Sequence, residues 1–501
     1  MLLHFFPNLS DVPVVSYLRK GFESRHFAIL IAVLTLLSNL FGLEFPVMYT
    51  YMALVILGVL FSDDMFFGIP MVACGYFLFS KSNNPLGYEG TSIFLETGAQ
   101  IQFWVIASII ALCLTARIIF ELITKPERIR LPKFTWGLVA LGGAYVLGGL
   151  FSSYFFGGEN YKGNSPLFGL VEILSLSFFY LYFYFTVDFK RIDKSYFAYL
   201  LTVVGFLLIG EVIGMMYYGG FFEFSEEGFN RGNLHTGWGH YNNVAGAMII
   251  CLPAPFYYAT TKKQGWKYLL LGNLFYLTML FIQSRGGMVF GTVLFGLCCI
   301  LTVWKSKERK NLILTESLLL NIVLLIAFLF NEQITAMFMS VLNAGMNDSG
   351  RFSIYINGLK QFLDAPIFGN GFYACEAFRW GDLSVGAFLP GRYHNTYVQL
   401  LASCGIVGLG AYGFHRYTTV REILTNRNVE KYFLALCAGG LIMTSILDCH
   451  FFNFGPGLTY SLLLLFLEID VLRNQKESKE TAEVTEAIVE EETTLPVANE
   501  E

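Results

Sequence analysis

The sequence predicts an all-α fold, a polytopic membrane helix bundle of about 14 transmembrane helices with a long outer loop that contains an amphipathic helix. Three observations predict it. Of 501 residues, 55% are hydrophobic and 14% charged, against about 25% charged in ordinary soluble domains. Apolar runs of about 20 residues, each enough to cross a roughly 30 Å hydrocarbon core, recur along almost the whole chain. Lys and Arg gather in every second segment between runs, as the positive-inside rule requires of cytoplasmic loops.

The runs lie at about 27–43, 46–61, 65–80, 98–119, 134–156, 165–187, 195–218, 242–260, 267–283, 286–304, 311–331, 393–414, 431–448 and 457–472. Backbone groups find no water in lipid, so each run reads as a helix. With the amino terminus inside, 25 of the 33 Lys and Arg fall in cytoplasmic segments such as 117–133, 262–267 and 416–431, and eight fall outside. Both termini are then cytoplasmic. Residues 1–26 lack the pattern of a cleavable signal and read as a cytoplasmic interfacial segment. Residues 27–331 hold helices 1–11, 332–392 the long extracytoplasmic loop, 393–472 helices 12–14, and 473–501 a disordered acidic cytoplasmic tail. That tail supplies most of the acidity behind the net charge of −5. Of nine cysteines, seven lie inside apolar runs, where Cys behaves as a small hydrophobe. Only Cys375 and Cys449 are placed to meet an oxidising compartment.

Within the long loop, Arg351 to Asp364 has helical spacing, with Phe352, Tyr355, Ile356, Leu359, Phe362 and Leu363 on one face. Asp348 or Ser349 can cap its start, and Pro366, Gly369 and Gly371 end it. This is an amphipathic helix on or near the outer membrane surface. No nucleotide-binding glycine motif, internal repeat or polar cytoplasmic domain is visible, so ATP or a nucleotide sugar has no evident docking place. Nothing points to nucleic acid.

The outer arginines run against the positive-inside bias, so each needs a reason. Arg285 stands in Ser284-Arg285-Gly286-Gly287 at the junction of two runs. Glycines there let a ligand or another backbone come close, which suits an anion nest, although an interfacial Arg can also snorkel to headgroups. Arg231 opens a polar stretch with His235, Trp238, His240, Asn242 and Asn243 that enters a run directly. Its plain alternative is a solvated loop ending in an Asn cap. Arg351 sits in the first turn of the loop helix, where a cation opposes the helix dipole by about 0.3–1 kcal/mol. A bound anion, or an acid such as Asp348, would reverse that. Arg392-Tyr393-His394-Asn395 ends the loop, placing an imidazole at the outer boundary, where it can take a proton near neutral pH. Glu172, Glu211 and Glu316 fall inside apolar runs and need partners. Metal ligation is weakly supported, because His235 and His240 stand without nearby Cys or clustered carboxylates and the outer loops carry no Asp-x-Asp pair.

Taken together these residues resemble the O-antigen ligase and O-antigen polymerase superfamily. Three elements carry the resemblance: Arg231 to Ala245, similar to the family's arginine-to-Asn-x-x-Ala loop; Ser284-Arg285-Gly286; and a long-loop pattern. That pattern runs from Arg351 through Ala365-Pro366-Ile367-Phe368-Gly369-Asn370-Gly371-Phe372 to His394-Asn395 and Gly405-Ile406-Val407-Gly408. The resemblance implies a GT-C-like glycosyltransferase in the bacterial inner membrane. Its donor is a polyprenyl-diphosphate-linked glycan, taken on the extracytoplasmic face, and its acceptor is lipid A–core or another glycan. Chemistry fits the residues: guanidinium groups bind diphosphate oxygens bidentately and stay charged. Arg285 and Arg231 are then expected to hold the leaving diphosphate without a metal or other cofactor. His394 is expected to take the proton of the acceptor hydroxyl, the alternative being that it only binds a phosphate, and attack opposite the diphosphate inverts the anomeric centre. Arg351, Arg392, Asn395, Trp238, His240 and Asn242 are the expected substrate contacts. Two other classes fit less of the sequence. A lipid-linked glycan flippase would use Glu172 and Glu211 for proton coupling, but the internal symmetry common in transporters is not evident. A polytopic peptidoglycan polymerase would need Asp348 or Asp364 as its outer acid.

Overall fold

In a computed structural model the described residues are helical, with no strand among them. The structure describes residues 1–79, 97–126, 129–148, 165–193, 195–218, 241–332, 334–335, 339, 351–371, 393–425, 428–452, 456–470 and 472. The helices that matter below are α1 (Pro13–Glu23), α2 (Phe27–Phe41), α3 (Glu44–Phe61), α4 (Gly68–Phe79), α5 (Thr97–Thr124), α6 (Thr135–Val146), α7 (Ser165–Thr186) and α8 (Tyr196–Tyr218). They continue as α9 (Tyr241–Cys251), α10 (Pro253–Thr261), α11 (Gly265–Phe281), α12 (Arg285–Lys305), α13 (Arg309–Leu329), α14 (Arg351–Asp364), α15 (Thr396–Leu424) and α16 (Val429–Leu447). A last helix, α17, covers 456–470.

A helix stands at each apolar run, and the protein is a multi-pass helical membrane protein. Among the described residues, eight helices are long and apolar enough to cross a membrane singly, and the pair α1 and α2, bent by 82°, makes a ninth if taken as one. The sequence reading of fourteen crossings counts several shorter helices. One is α4, whose 12 residues span about 18 Å at 1.5 Å per residue. Another is α6, also of 12 residues.

Helices approach closely where glycine removes a side chain. On α8, Gly210 and Gly214 lie one turn apart and receive Leu36 and Leu40 of α2, whose methyl carbons would stand 2.7 and 2.4 Å from an added Cβ. Small residues at such spacing let packing rather than hydrophobicity drive association in lipid. At the edge of the bundle, the apolar window of α13 is only 6% buried and that of α5 only 11%. These are lipid-facing surfaces.

The segment 416–431 differs from its sequence reading as a connecting loop. Helix α15 continues through it to Leu424, and the guanidinium nitrogens of Arg416 are buried. Lys431, also counted as a loop cation, is 1% exposed and bonds to Glu422 Oε1 at 3.2 Å and Asp470 Oδ2 at 3.4 Å. Lys133 donates to Glu422 Oε2 at 2.5 Å and its backbone N–H to Glu468 Oε2 at 3.1 Å. Lys431, Glu422 and Asp470 can leave water because each finds an opposite charge and further hydrogen bonds. Cys449, expected near the surface, is 0% exposed, held in a turn that packs into the bundle; Cys375 lies outside the described residues.

The feature that shapes the site is a break in α15. Gly405 adopts φ 62° and ψ −158°, leaving orphan carbonyls before it and orphan N–H groups after it. The stretch Pro366 to Gly371 fills both sets. Ile406 and Val407 N–H donate to Pro366 O and Ile367 O at 2.9 and 3.2 Å, while Asn370 and Gly371 N–H donate to Ala402 O and Ser403 O at 2.8 and 3.0 Å. Irregular backbone at membrane depth survives only where protein satisfies it in this way. The Pro-Ile-Phe-Gly-Asn-Gly sequence is therefore a plug for a broken helix.

Candidate active site

Four helices begin around one end of the bundle: α9 at Tyr241, α12 at Arg285, α14 at Arg351 and α15 at Thr396. Helix starts carry unsatisfied N–H groups and partial positive charge, which favour an anion. A cleft with about 280 Å³ of open space lies among them, lined by Asn242, Ala245 and Gly246 of α9, Ser284, Gly286 and Gly287 at the start of α12, Arg351 of α14, and Thr444 and Asp448 at the end of α16.

Local chemistry fixes the first wall. Ser284 caps α12, accepting from Gly287 N at 3.3 Å, and donates its hydroxyl to Asn242 Oδ1 at 2.8 Å. A Cβ on Gly287 would stand 2.7 Å from the Ala245 Cβ. The spacing Asn242-x-x-Ala245 thus serves Ser284-Arg285-Gly286-Gly287: one residue bonds the cap and the other admits the close approach. Arg285, half-buried, is the first residue of α12 and stands between the lining residues Ser284 and Gly286. Just before it, Gln283 holds a left-handed φ of 56° while 0% exposed.

His394 forms the second wall. Its φ is 49°, unusual for a residue with a side chain and a mark of a conformation imposed by its surroundings. Its Nδ1 lies 3.3 Å from Asp448 Oδ1. An ionised carboxylate only accepts, so in the neutral imidazole this contact favours the tautomer with the proton on Nδ1 and the lone pair on Nε2. Asp448 Oδ1 also accepts from Cys449 N at 2.8 Å. Gln399 ties the flanks together, accepting from Tyr393 N at 3.0 Å and from Cys449 Sγ at 3.7 Å, and donating to Ser403 Oγ at 2.9 Å. Tyr355 of α14 donates to His394 O at 3.2 Å. Burial pushes the Tyr355 phenol up from its ordinary value, so it remains a donor.

The sequence-predicted residues divide as follows. Asn242, Arg351, Arg285 and His394 meet at or beside the cleft. Asn395 has its side chain engaged: Oδ1 accepts from Tyr397 N and Val398 N at 2.9 and 3.1 Å, and Nδ2 donates to Ile446 O at 2.8 Å. It caps α15 and pins it to α16. Arg231, Trp238, His240 and Arg392 lie outside the described residues, as do His235, Asn243's side chain and Asp348. Asp364 is exposed at the far end of α14. Glu211 is 2% exposed and accepts from Asn39 Nδ2. Glu316 accepts from Asn273 Nδ2 at 3.0 Å, and the Glu172 side chain lies outside the described residues. Asp448 and Thr444 were absent from the sequence reading. Their contacts with His394 and the cleft cross some 50 positions of chain, and no local motif announces them.

The face expected for α14 is split. Gly358 is buried against Tyr393 and Val398, and Tyr355 turns to His394. Phe352, Ile356, Leu359 and Leu363 stand 68%, 52%, 45% and 72% exposed along one stripe, as a helix lying against lipid requires.

The fold and the site define a multi-pass membrane protein with a cleft lined by helix starts, Arg351 and Asp448, beside which His394 pairs with Asp448. Residues 270–413 match the family model described as O-antigen ligase, which supports the resemblance to the O-antigen ligase and polymerase superfamily. The matched segment includes the Ser284-Arg285 cap, α14, the helix plug and His394. No curated protein matches the chain.

Proposed function

We propose that this protein transfers a glycan from a polyprenyl diphosphate to an acceptor hydroxyl at the extracytoplasmic face of a bacterial inner membrane, polymerising or ligating surface polysaccharide. The observation that carries the proposal is a cleft lined by the starts of α9, α12 and α14, by Arg351 and by Asp448, with Arg285 between two lining residues and His394 bonded to Asp448 beside it. The diphosphate of the donor suits the α12 start and the arginines, which neutralise charge as the leaving group departs. His394 Nε2 accepts the proton of the acceptor hydroxyl, while Asp448 stabilises the imidazolium. The hydroxyl oxygen forms the new bond to the anomeric carbon. The bond from that carbon to the diphosphate breaks, and the electron pair leaves with the polyprenyl diphosphate. Attack from the face opposite the leaving group inverts the configuration, and no metal is needed for charge neutralisation. The apolar stripe of α14 suits contact with lipid beside the donor's hydrocarbon chain.

Replacing Arg285 tests the reading. Arg285→Ala is expected to cost the transfer reaction roughly 10²–10³-fold, as loss of one oxyanion-type donor does, with normal membrane insertion. Arg285→Lys should recover part of it, since a point charge replaces a bidentate fork. Wild-type glycan profiles in both variants would reject the proposal. Supplying purified protein with lipid A–core or with free glycan as acceptor separates ligase from polymerase.

A further inference from the structure

We propose that Arg416 is a positioning residue that holds the Asp448 turn, and so keeps the Asp448 carboxylate on His394; this rests on the role given to that pair above. Arg416 lies in the half of α15 beyond the break at Gly405. Part of its side chain reaches the bundle surface, yet Nε, Nη1 and Nη2 are all buried, and the nearby polar groups that interact with the charge include the phenols of Tyr412 and Tyr460. What surrounds the guanidinium is aromatic. Its Cζ lies 4.7 Å from the ring centre of Tyr412, 4.5 Å from Phe451 and 4.8 Å from Tyr460.

Those rings come from three separate elements. Tyr412 belongs to α15, Tyr460 to α17 and Phe451 to the short turn His450–Phe452. They also touch one another, with ring centres 5.2 Å apart for Tyr412 and Phe451 and 5.3 Å for Phe451 and Tyr460. Simple packing would be served better by an aliphatic side chain, because burying a charge is costly. A guanidinium does what an aliphatic group cannot: it attracts several ring faces at once and so fixes how they face each other.

The turn it fixes is the one that presents Asp448. Phe451 follows Asp448 by three residues, and Cys449 N–H donates to Asp448 Oδ1 at 2.8 Å. The same carboxylate oxygen meets His394 Nδ1 at 3.3 Å. If the cage loosens, the turn shifts and the carboxylate leaves the imidazole, and displacements near 1 Å can cost about 10²-fold in rate.

The experiment is a double-mutant cycle on the full-length protein in nanodiscs, with a polyprenyl-diphosphate glycan as donor and kcat and KM measured separately. Arg416→Met should lower kcat on the order of 10-fold to 100-fold and change KM by less than about twofold. In an Asp448→Asn background it should lower kcat by less than about twofold, because the carboxylate it positions is already gone. Phe451→Leu, which keeps the charge and removes the ring, should behave likewise and serves if Arg416→Met does not fold. Unchanged kcat in the single variants, or the same loss in both backgrounds, would overturn the proposal. Full activity of His394→Ala would instead overturn the assignment of the pair itself.

Discussion

His394→Ala is expected to remove glycan transfer almost entirely, by roughly 10²–10⁴-fold, the usual contribution of a positioned general base. Asp448→Asn is expected to cost on the order of 10²-fold or more through a different route. The asparagine can still accept from Cys449 N–H through its oxygen, so the turn should hold. Its NH₂ can then face Nδ1 as a donor and push the ring proton to Nε2, the atom that must stay unprotonated to act as a base. A wrong tautomer in an intact geometry is costly in histidine–carboxylate catalysis generally. The two losses should not add, because both variants disable one unit. The measurement is single-turnover transfer with saturating donor, alongside donor binding. Binding should survive in both variants, since the anion contacts assigned to Arg285, Arg351 and the α12 start are untouched. A His394→Ala protein that transfers normally while Asp448→Asn does not would make Asp448 the base and His394 its support.

Much of this arrangement is legible in the sequence because it is local. The apolar runs fall on helices since their length and hydropathy are properties of single segments. Ser284 followed by Arg-Gly-Gly reads as a junction of two runs where glycine admits a close approach, and in the structure Gly287 lies against Ala245. His394 is reachable by its position at the end of a long loop. The partner Asp448 is not, because it closes the run 431–448 and resembles an ordinary helix end until α16 and α15 are placed side by side. Arg416 misleads for a related reason: positive residues past an apolar run count as cytoplasmic, and only the fold shows three rings covering the charge. The glycines of the loop pattern are visible as punctuation, yet their purpose depends on a break in a helix some 35 residues away in the chain.

That break gives the largest expected effect on stability. Gly405 has φ 62° and ψ −158°, a region open essentially to glycine alone. A Cβ there would stand 2.3 Å from Ile367 O and 2.4 Å from Ile367 C, both backbone atoms that cannot swing aside. Gly369, with φ 72°, faces the same problem across the joint, 2.3 Å from Ser403 C. Gly405→Ala must therefore either carry backbone strain of about 1–3 kcal/mol or expel the plug, which costs the four hydrogen bonds at about 0.5–1.5 kcal/mol each. The expected loss is about 3 kcal/mol or more, read as a clear fall in thermal midpoint in detergent. Because α14 and His394 flank the plug on either side, transfer activity should fall with it. Gly410→Ala supplies the control on the same helix. A Cβ there meets nothing within 4 Å, and alanine is favoured over glycine in a helix by about 1 kcal/mol, so stability should hold or rise. Equal behaviour of the two variants would mean that α15 tolerates straightening at Gly405, and that the Pro-Ile-Phe-Gly-Asn-Gly stretch is not what shapes this end of the protein.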